Sequence, residues 1–190
     1  MPTTKHWTSK DLETLPSTEG TRYEIIAGEL FVSTQPHWHH QYTCGRLFRA
    51  LDTWSDTHPL GYAILAPGLI FADDDDVAPD MVWVSHARRA GAQDGAGHLH
   101  VAPELVIEVT SPGRPNERRD REVKRGLYER RGVQEYWIVD PRAQTVDVYR
   151  PTAGVLAQVT RLTRQDTLTS PLLPGFACVV GTLFAGEVQT

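Results

Sequence analysis

The spacing of apolar positions changes several times along the chain and divides it into elements. Around residues 37–54, Leu47, Phe48, Leu51 and Trp54 recur on one side of a helix, which predicts a long amphipathic helix lying on a sheet. Before it, residues 22–27 and 29–34 are apolar-rich runs around Ala27-Gly28, where glycine supplies the turn of a β-hairpin. Residues 8–15 read as a short lead-in helix, with Thr8 and Asp11 at capping-box-like spacing and Pro16 as its stop. After the long helix, residues 62–65, 69–71, 80–84 and 104–109 read as strands separated by Gly-, Pro- or Asp-rich turns. A second helix is expected over residues 117–131, capped by Asn116 and ended by Gly132. Residues 135–139 then form a strand stopped by Asp140-Pro141, and residues 145–149 and 155–162 a closing pair. From Pro171 onward the pattern assigns no element. With no repeat, linker or low-complexity tract, residues 1–190 read as a single domain.

Composition narrows the class. Apolar residues make up 40% and charged residues 23% of the chain, values that suit one soluble domain with a sizeable core. No stretch has the length and apolarity of a signal peptide or membrane span, so the expectation is a cytoplasmic protein with no membrane partner. Cys44 and Cys178 belong to no Cys-x-x-Cys pair and read as small packed residues. The net charge of −5 runs against the basic footprint usual for nucleic-acid binding. Charge is local, however. Asp73 to Asp76 form an acidic run, and Arg114, Arg118, Arg119, Arg121, Lys124, Arg125, Arg130 and Arg131 gather in one segment. That segment is either a basic patch or a solvated stretch neutralised by Glu117, Asp120, Glu122 and Glu129, and both readings stay open.

Acids interrupt two otherwise apolar strands. Alternation puts Asp80, Val82 and Val84 on one face, and Glu104, Val106 and Glu108 on one face of theirs. If the two strands pair antiparallel, Asp80 and Glu108 converge. Half-buried like charges repel unless compensated, and a divalent cation with oxygen ligands is an effective compensation. Mg²⁺ is the expected cofactor, with Mn²⁺ as substitute and the Val109 carbonyl as a third ligand. Such a cation activates water and neutralises charge developing on a phosphodiester. Ser111-Pro112-Gly113 turns the chain into the second helix, which carries Asp120, Lys124 and Tyr128 on one side at i,i+4 spacing, so Lys124 can reach the sheet end to orient or deprotonate water. Spacing alone also fits solvated strand ends and an exposed Lys124 paired with Asp120.

Local sequence adds to this. In order come Ala78-Pro79-Asp80, Pro103-Glu104-Leu105-Val106-Ile107-Glu108-Val109-Thr110-Ser111-Pro112, Lys124 with Tyr128, and Gly132-Val133-Gln134-Glu135-Tyr136-Trp137-Ile138-Val139-Asp140-Pro141. Together they resemble the PD-(D/E)XK nuclease superfamily and, within it, the bacterial restriction-endonuclease branch called the Uma-two family. The resemblance runs from Tyr23-Glu24-Ile25-Ile26-Ala27-Gly28-Glu29-Leu30 through His40-Gln41 and Leu47 to Tyr149. It implies an α/β, restriction endonuclease-like core: a mixed β-sheet flanked by helices in αβββαβ order, with an N-terminal hairpin. It also implies a Mg²⁺-dependent endonuclease acting on DNA, with Asp80 and Glu108 as first and second metal ligands. Thr110 stands where the lysine of Glu-x-Lys is expected, and Lys124, with Tyr128 one turn later, fills that place. Glu24 and His40 also fit family positions near the metal or its water, although His37, His39 and His40 equally suit a polar helix start. Two other readings remain: a nuclease-fold binding or regulatory module with weak turnover, and a hydrolase of another phosphate ester. A homodimer is expected because a duplex has two strands to cut, and because Trp83, Tyr136, Trp137, Leu172, Leu173 and Phe176 exceed the apolar needs of one sheet, with core packing the simpler account.

Overall fold

Strand alternation builds two cores, one on each side of a central sheet. In the computed structural model, which describes residues 5–16, 19–111 and 113–184, with the side chains of Arg114 and Pro115 left aside, the chain begins with α1 (Ser9–Leu12), β1 (Arg22–Ile26), β2 (Glu29–Ser33) and α2 (Trp38–Thr57). Next come β3 (Gly61–Leu65), β4 (Leu69–Ala72), β5 (Asp75–Val77), β6 (Met81–Ser85), α3 (His86–Arg89) and β7 (Leu105–Val109). Helices α4 (Arg114–Arg118) and α5 (Arg125–Arg130) are joined by a π-helical turn at Arg119–Lys124. The chain continues through β8 (Glu135–Asp140), β9 (Thr145–Thr152), β10 (Val155–Leu162), β11 (Thr167–Ser170), β12 (Leu173–Val179) and a 3₁₀ turn at Val180–Leu183.

Six strands form the main sheet in the order β10-β9-β8-β7-β6-β3, with β7 and β8 parallel and every other pair antiparallel. A parallel pair needs a crossover, which α4, the π turn and α5 provide. Taking α2, β3, β6, β7, the crossover and β8 in turn gives the expected αβββαβ order. Strands β4 and β5 leave this path and join the β1–β2 hairpin in a second sheet of order β2-β1-β5-β4.

On one side of the main sheet, Leu47, Leu51 and Trp54 of α2 pack with Met81, Trp83, Ile107, Trp137 and Phe176. On the other, Leu127 and Tyr128 of α5 pack with Val82, Val84, Val106, Tyr136 and Ile138. Both faces are covered, which is why β7 and β8 read as almost continuous apolar runs. The apolar excess that suggested pairing of two copies is used within one chain: Trp83, Tyr136, Trp137, Leu173 and Phe176 are core residues, and Leu172 packs partly buried against them.

Three segments depart from the sequence reading. The acidic run Asp73–Asp76, to which the sequence pattern assigns no element, turns at Asp73-Asp74 and enters β5, and Asp75 is buried. Ala27 has φ 50° and Gly28 φ 74°, the left-handed pair a two-residue hairpin turn requires. Alanine is strained there, and the Asp75 carboxylate holds it by accepting the Ala27 N–H at 2.7 Å while pairing with Arg131 at 2.5 Å. The region after Pro171 is also ordered: β12, interrupted by Pro174 and by Gly175 at φ 79°, pairs with β11 and covers α2. Last, the basic segment is largely wired inward, Arg121 to Asp147 at 2.6 Å and Arg131 to Asp75, with strand residues rather than its own glutamates as the main partners. The expected turn at Ser111 to Gly113 includes Pro112, which lies outside the described residues. Among the described residues no helix is long and apolar enough to cross a membrane.

Asp147 on β9 is fully buried and accepts from Arg121, Arg161 and Gln158. Burial opposes its charge, but the Arg161 and Arg121 guanidiniums hold its carboxyl below the usual carboxylate range. Breaking a buried pair costs about 3–5 kcal/mol. Both arginines are partly exposed, so Asp147→Ala is expected to lose less, about 1–3 kcal/mol in urea unfolding. A lowered folded pKa stabilises above the unfolded value of about 3.9, and that contribution disappears as pH falls through the folded pKa. Wild type and variant should therefore differ at neutral pH and converge in strong acid; a difference independent of pH would argue against the ionic origin.

Candidate functional site

The pairing of β6 with β7 matches Met81 to Ile107, and one more step of this antiparallel register sets Asp80 across from Glu108. Asp80 Oδ2 accepts the backbone N–H of Val109 at 2.8 Å, which ties the two strand ends together. From the α2 side, His40 Nε2 lies 3.1 Å from the same oxygen. From the hairpin, Arg22 Nη1 lies 3.6 Å from Asp80 Oδ1. Of the three neighbouring histidines, His37 caps α2 by accepting the His39 N–H, and His40 turns inward.

Glu108 is engaged from the opposite layer. Its Oε1 accepts from Lys124 Nζ at 2.9 Å and from Tyr128 OH at 2.8 Å. Lys124 Nζ is also 2.9 Å from Oε1 of Glu24 on β1, which in turn accepts the Ala78 N–H at 3.0 Å. Lys124 belongs to the π turn, whose wider winding re-phases the rod; such turns recur at functional sites. The result turns Asp120, Lys124 and Tyr128 into the protein together. Asp120 pairs with Arg119 at 3.2 Å, and its carbonyl accepts from Tyr136 OH at 2.9 Å.

A 1% exposed ammonium is costly unless it is paired and hydrogen-bonded. Burial favours the neutral amine, but Glu108 and Glu24 outweigh it and hold the Lys124 pKa above its ordinary value, so the side chain is a fixed cation. Burial raises the Glu108 carboxyl above its usual range, with Asp80, Asp120 and Glu24 adding to the rise, and the charge of Lys124 opposes it and favours the ionised form. Burial also works against the Asp80 carboxylate, but the hydrogen bond and charge of His40, with Lys124 and the Val109 N–H, hold it below the usual range. Burial raises the Tyr128 hydroxyl well above its usual value, so it remains a donor.

These groups open on a cleft of about 320 Å³ between the hairpin, α2 and the sheet end. Glu24, His40, Asp80, Glu108, Val109 and Lys124 line it, whereas Asp120 and Tyr128 stand behind the wall. Three further lining residues were not singled out from the sequence: Arg22, Cys44 and Arg119. Two carried a readable signal, since Arg22 shares a strand face with Glu24 at i,i+2 and Cys44 shares a helix face with His40 at i,i+4. Three carboxylates, of Glu24, Asp80 and Glu108, share the cleft with the three cations Arg22, Arg119 and Lys124, and Asp120 stands behind them. Two sets of potential cation donors result. Asp80, Glu108 and the Val109 carbonyl offer hard oxygen ligands, and His40, Cys44 and Asp80 offer one atom each within 4.8 Å of one another.

With this geometry in hand, comparison with known proteins is informative. No curated protein matches the chain. A crystal structure of a "putative nuclease belonging to DUF820" from Anabaena variabilis superposes with a TM-score of 0.74 at 20% identity, over 93% of this chain and 97% of that one, and establishes a shared fold. The type IIG restriction endonuclease BpuSI gives a TM-score of 0.40 at 12% identity, over 76% of this chain and 14% of that one, too distant to support an argument. The family model Uma2, described as "Putative restriction endonuclease", matches residues 9–181. The chain therefore belongs to the Uma2 family of restriction-endonuclease-like proteins and carries that family's mixed α/β fold.

Proposed function

We propose that the protein is an endonuclease that hydrolyses DNA phosphodiester bonds in this cleft with the help of a hard divalent cation. The observation that carries the reading is the convergence of Asp80, Glu108 and Lys124 at one end of the sheet in a chain of this family. The donor chemistry fits Mg²⁺, with Mn²⁺ as substitute: two carboxylates and a backbone carbonyl at Val109 are oxygen ligands of the kind these ions prefer. When bound, the cation would supply Lewis acidity and a more acidic water. The protein's own groups supply the rest. Asp80 is oriented for ligation by the Val109 N–H and by His40. Glu108 is oriented by Lys124 and Tyr128, which both donate to Oε1 and leave Oε2 to other partners. Lys124, held protonated, acts as a donor and positive charge near the scissile phosphate rather than as the group that deprotonates water. Arg22 and Arg119 line the cleft as cations able to approach the phosphate backbone, a smaller footprint than the whole basic segment.

In the reaction a water oxygen attacks phosphorus, the phosphorus–oxygen bond to the neighbouring sugar breaks, and the departing oxygen takes up a proton. Supercoiled plasmid incubated with Mg²⁺ or Mn²⁺ is expected to become open-circular or linear with wild type, to stay intact with a chelator, and to stay intact with Asp80→Asn. Calorimetry with Mn²⁺ should show binding that Asp80→Asn and Glu108→Gln both weaken. Wild type without cleavage under either ion, or Asp80→Asn cutting like wild type, would overturn the reading. Hydrolysis of a small phosphodiester with no plasmid cleavage would redirect it to another phosphate ester.

Lys124 has a structural and a chemical share that can be separated. Lys124→Gln leaves two buried carboxylates without their common cation and is expected to cost about 3–5 kcal/mol in urea unfolding. Adding Glu108→Gln should recover part of that loss, since the repulsion it creates is removed. Turnover of folded Lys124→Gln should fall by roughly 10²–10³-fold, as for other buried donors to developing charge. Equal stability of wild type and Lys124→Gln would show that the ion pair is not structural.

A further inference from the structure

The cleft has a second wall of donors, of which the proposed cleavage reaction uses Asp80 as a ligand, His40 only to orient it, and Cys44 not at all. His40 and Cys44 lie one turn apart on α2, both buried, and both line the cleft with Asp80. His40 Nε2 is 3.1 Å from Asp80 Oδ2, and Cys44 Sγ is 3.7 Å from His40 Nδ1. Ligand atoms from the three residues fall within 4.8 Å of one another. Tetrahedral zinc, with bonds of about 2.3 Å to sulfur and about 2.0–2.1 Å to nitrogen, sets neighbouring donors roughly 3.3–3.6 Å apart. The two short contacts use different ring nitrogens, so with His40 offering one of them the three donors span up to 4.8 Å, wider than a zinc shell, and binding requires the Cys44 and His40 side chains to turn inward.

Donor chemistry separates this set from its neighbour. Imidazole and thiolate are borderline-soft ligands that suit zinc, whereas Mg²⁺ prefers oxygens. Three protein ligands with a fourth position open to the cleft is the coordination of an accessible zinc site rather than a closed structural one. Cys44 also has another role as a buried member of the core beneath α2.

We propose that His40, Cys44 and Asp80 form a second cation site, for zinc or a similarly borderline-soft divalent ion, which competes for Asp80 with the hard-cation site of Asp80 and Glu108. Binding releases the Cys44 thiol proton to solvent and engages the Asp80 carboxylate on its α2 side. Cleavage is thereby suppressed while zinc is present and returns when it is withdrawn. Only this consequence rests on the nuclease reading; cation binding by the three residues does not.

Cobalt(II), a spectroscopic substitute for zinc, tests the binding directly. Titration of metal-free protein should produce a thiolate-to-cobalt charge-transfer band that saturates at one equivalent and disappears when Zn²⁺ is added. The band should be lost in Cys44→Ser and His40→Ala and kept in Cys178→Ser, with circular dichroism confirming the fold of each variant. Cys44→Ala, small and apolar, serves if the serine variant does not fold. Zinc affinity should drop by at least about 10–100-fold without the Cys44 ligand. No band in wild type, or a band that survives removal of Cys44, overturns the site. The second arm is the ratio of Mg²⁺-dependent plasmid cleavage with and without equimolar Zn²⁺: wild type should be strongly zinc-sensitive and the folded Cys44 variant much less so. Equal sensitivity overturns the competition. A cobalt band in a protein that never cuts DNA would leave the cation site standing and remove the nuclease reading; cleavage with no cobalt band would do the reverse.

Discussion

A single buried ammonium connects the parts of this molecule. Lys124 reaches Glu108 at the end of the main sheet and Glu24 on the hairpin sheet, both at 2.9 Å, from a turn within the crossover rod. Taking one ammonium and two carboxylates out of water costs several kcal/mol per ion, which attraction offsets only in good geometry. The surrounding structure provides that geometry. Tyr128 donates to Glu108 and the Ala78 N–H donates to Glu24, so both carboxylates have support beyond the ion pair. A displacement of the hairpin, the sheet or the rod would leave charge buried and unpaired. The fold is thus selected together with its site, because the hairpin, the sheet end and the rod that border the cleft each hold one end of the same ionic contact.

The sequence carries most of the core because both faces of the main sheet are packed. Apolar runs of three or four residues at β6, β7 and β8, and the helical stripe from Leu47 to Trp54, are physical consequences of burial and survive in one dimension. Elements whose stability comes from polar contacts do not. Strand β5 is written Asp75-Asp76-Val77, and what makes it a strand is a carboxylate satisfying the Ala27 turn and Arg131, partners 48 and 56 residues away. In β12, Pro174 and Gly175 break the alternation that would have announced a strand. The same logic governs the site. Asp80 and Glu108 are visible because they interrupt apolar patterns, and Lys124 through its helical spacing and its place in the family resemblance. Arg22 and Cys44 share a face with Glu24 and His40, but spacing within one element does not say that the hairpin, α2 and the rod meet at one place, and Arg119 has not even that signal.

Net charge misleads for a related reason. A charge of −5 argues against a polyanionic partner if side chains are counted as free, but many of these are committed. Arg121 and Arg161 are bound to Asp147, Arg131 to Asp75 and Arg150 to Glu135, so much of the basic complement is structural. What faces the cleft is a small group: Arg22 and Arg119 beside the carboxylates. Under the proposed function, recognition by such a surface would depend on local placement and on cations bound from solution, which neutralise phosphate and carboxylate together.

Asp80 has the most divided surroundings of any residue in the cleft, and this follows from the layers. One step beyond the end of β6, it is reached from the α2 side by His40 and Cys44 and from the rod side by the field of Lys124, while Val109 fixes it in the plane of the sheet. A carboxylate confined to one layer would see one kind of neighbour. At a sheet end it sees both, so the two candidate ligand sets overlap at one residue and cannot both have full use of it. The burial that separates the two cores also makes their chemistry different: the α2 core supplies a thiol and an imidazole, whereas the rod side supplies an ion-paired carboxylate network. Under the two proposed sites, cation selectivity in the cleft would depend on which side of Asp80 is engaged, and the position of one carboxylate at a strand terminus is enough to create that choice.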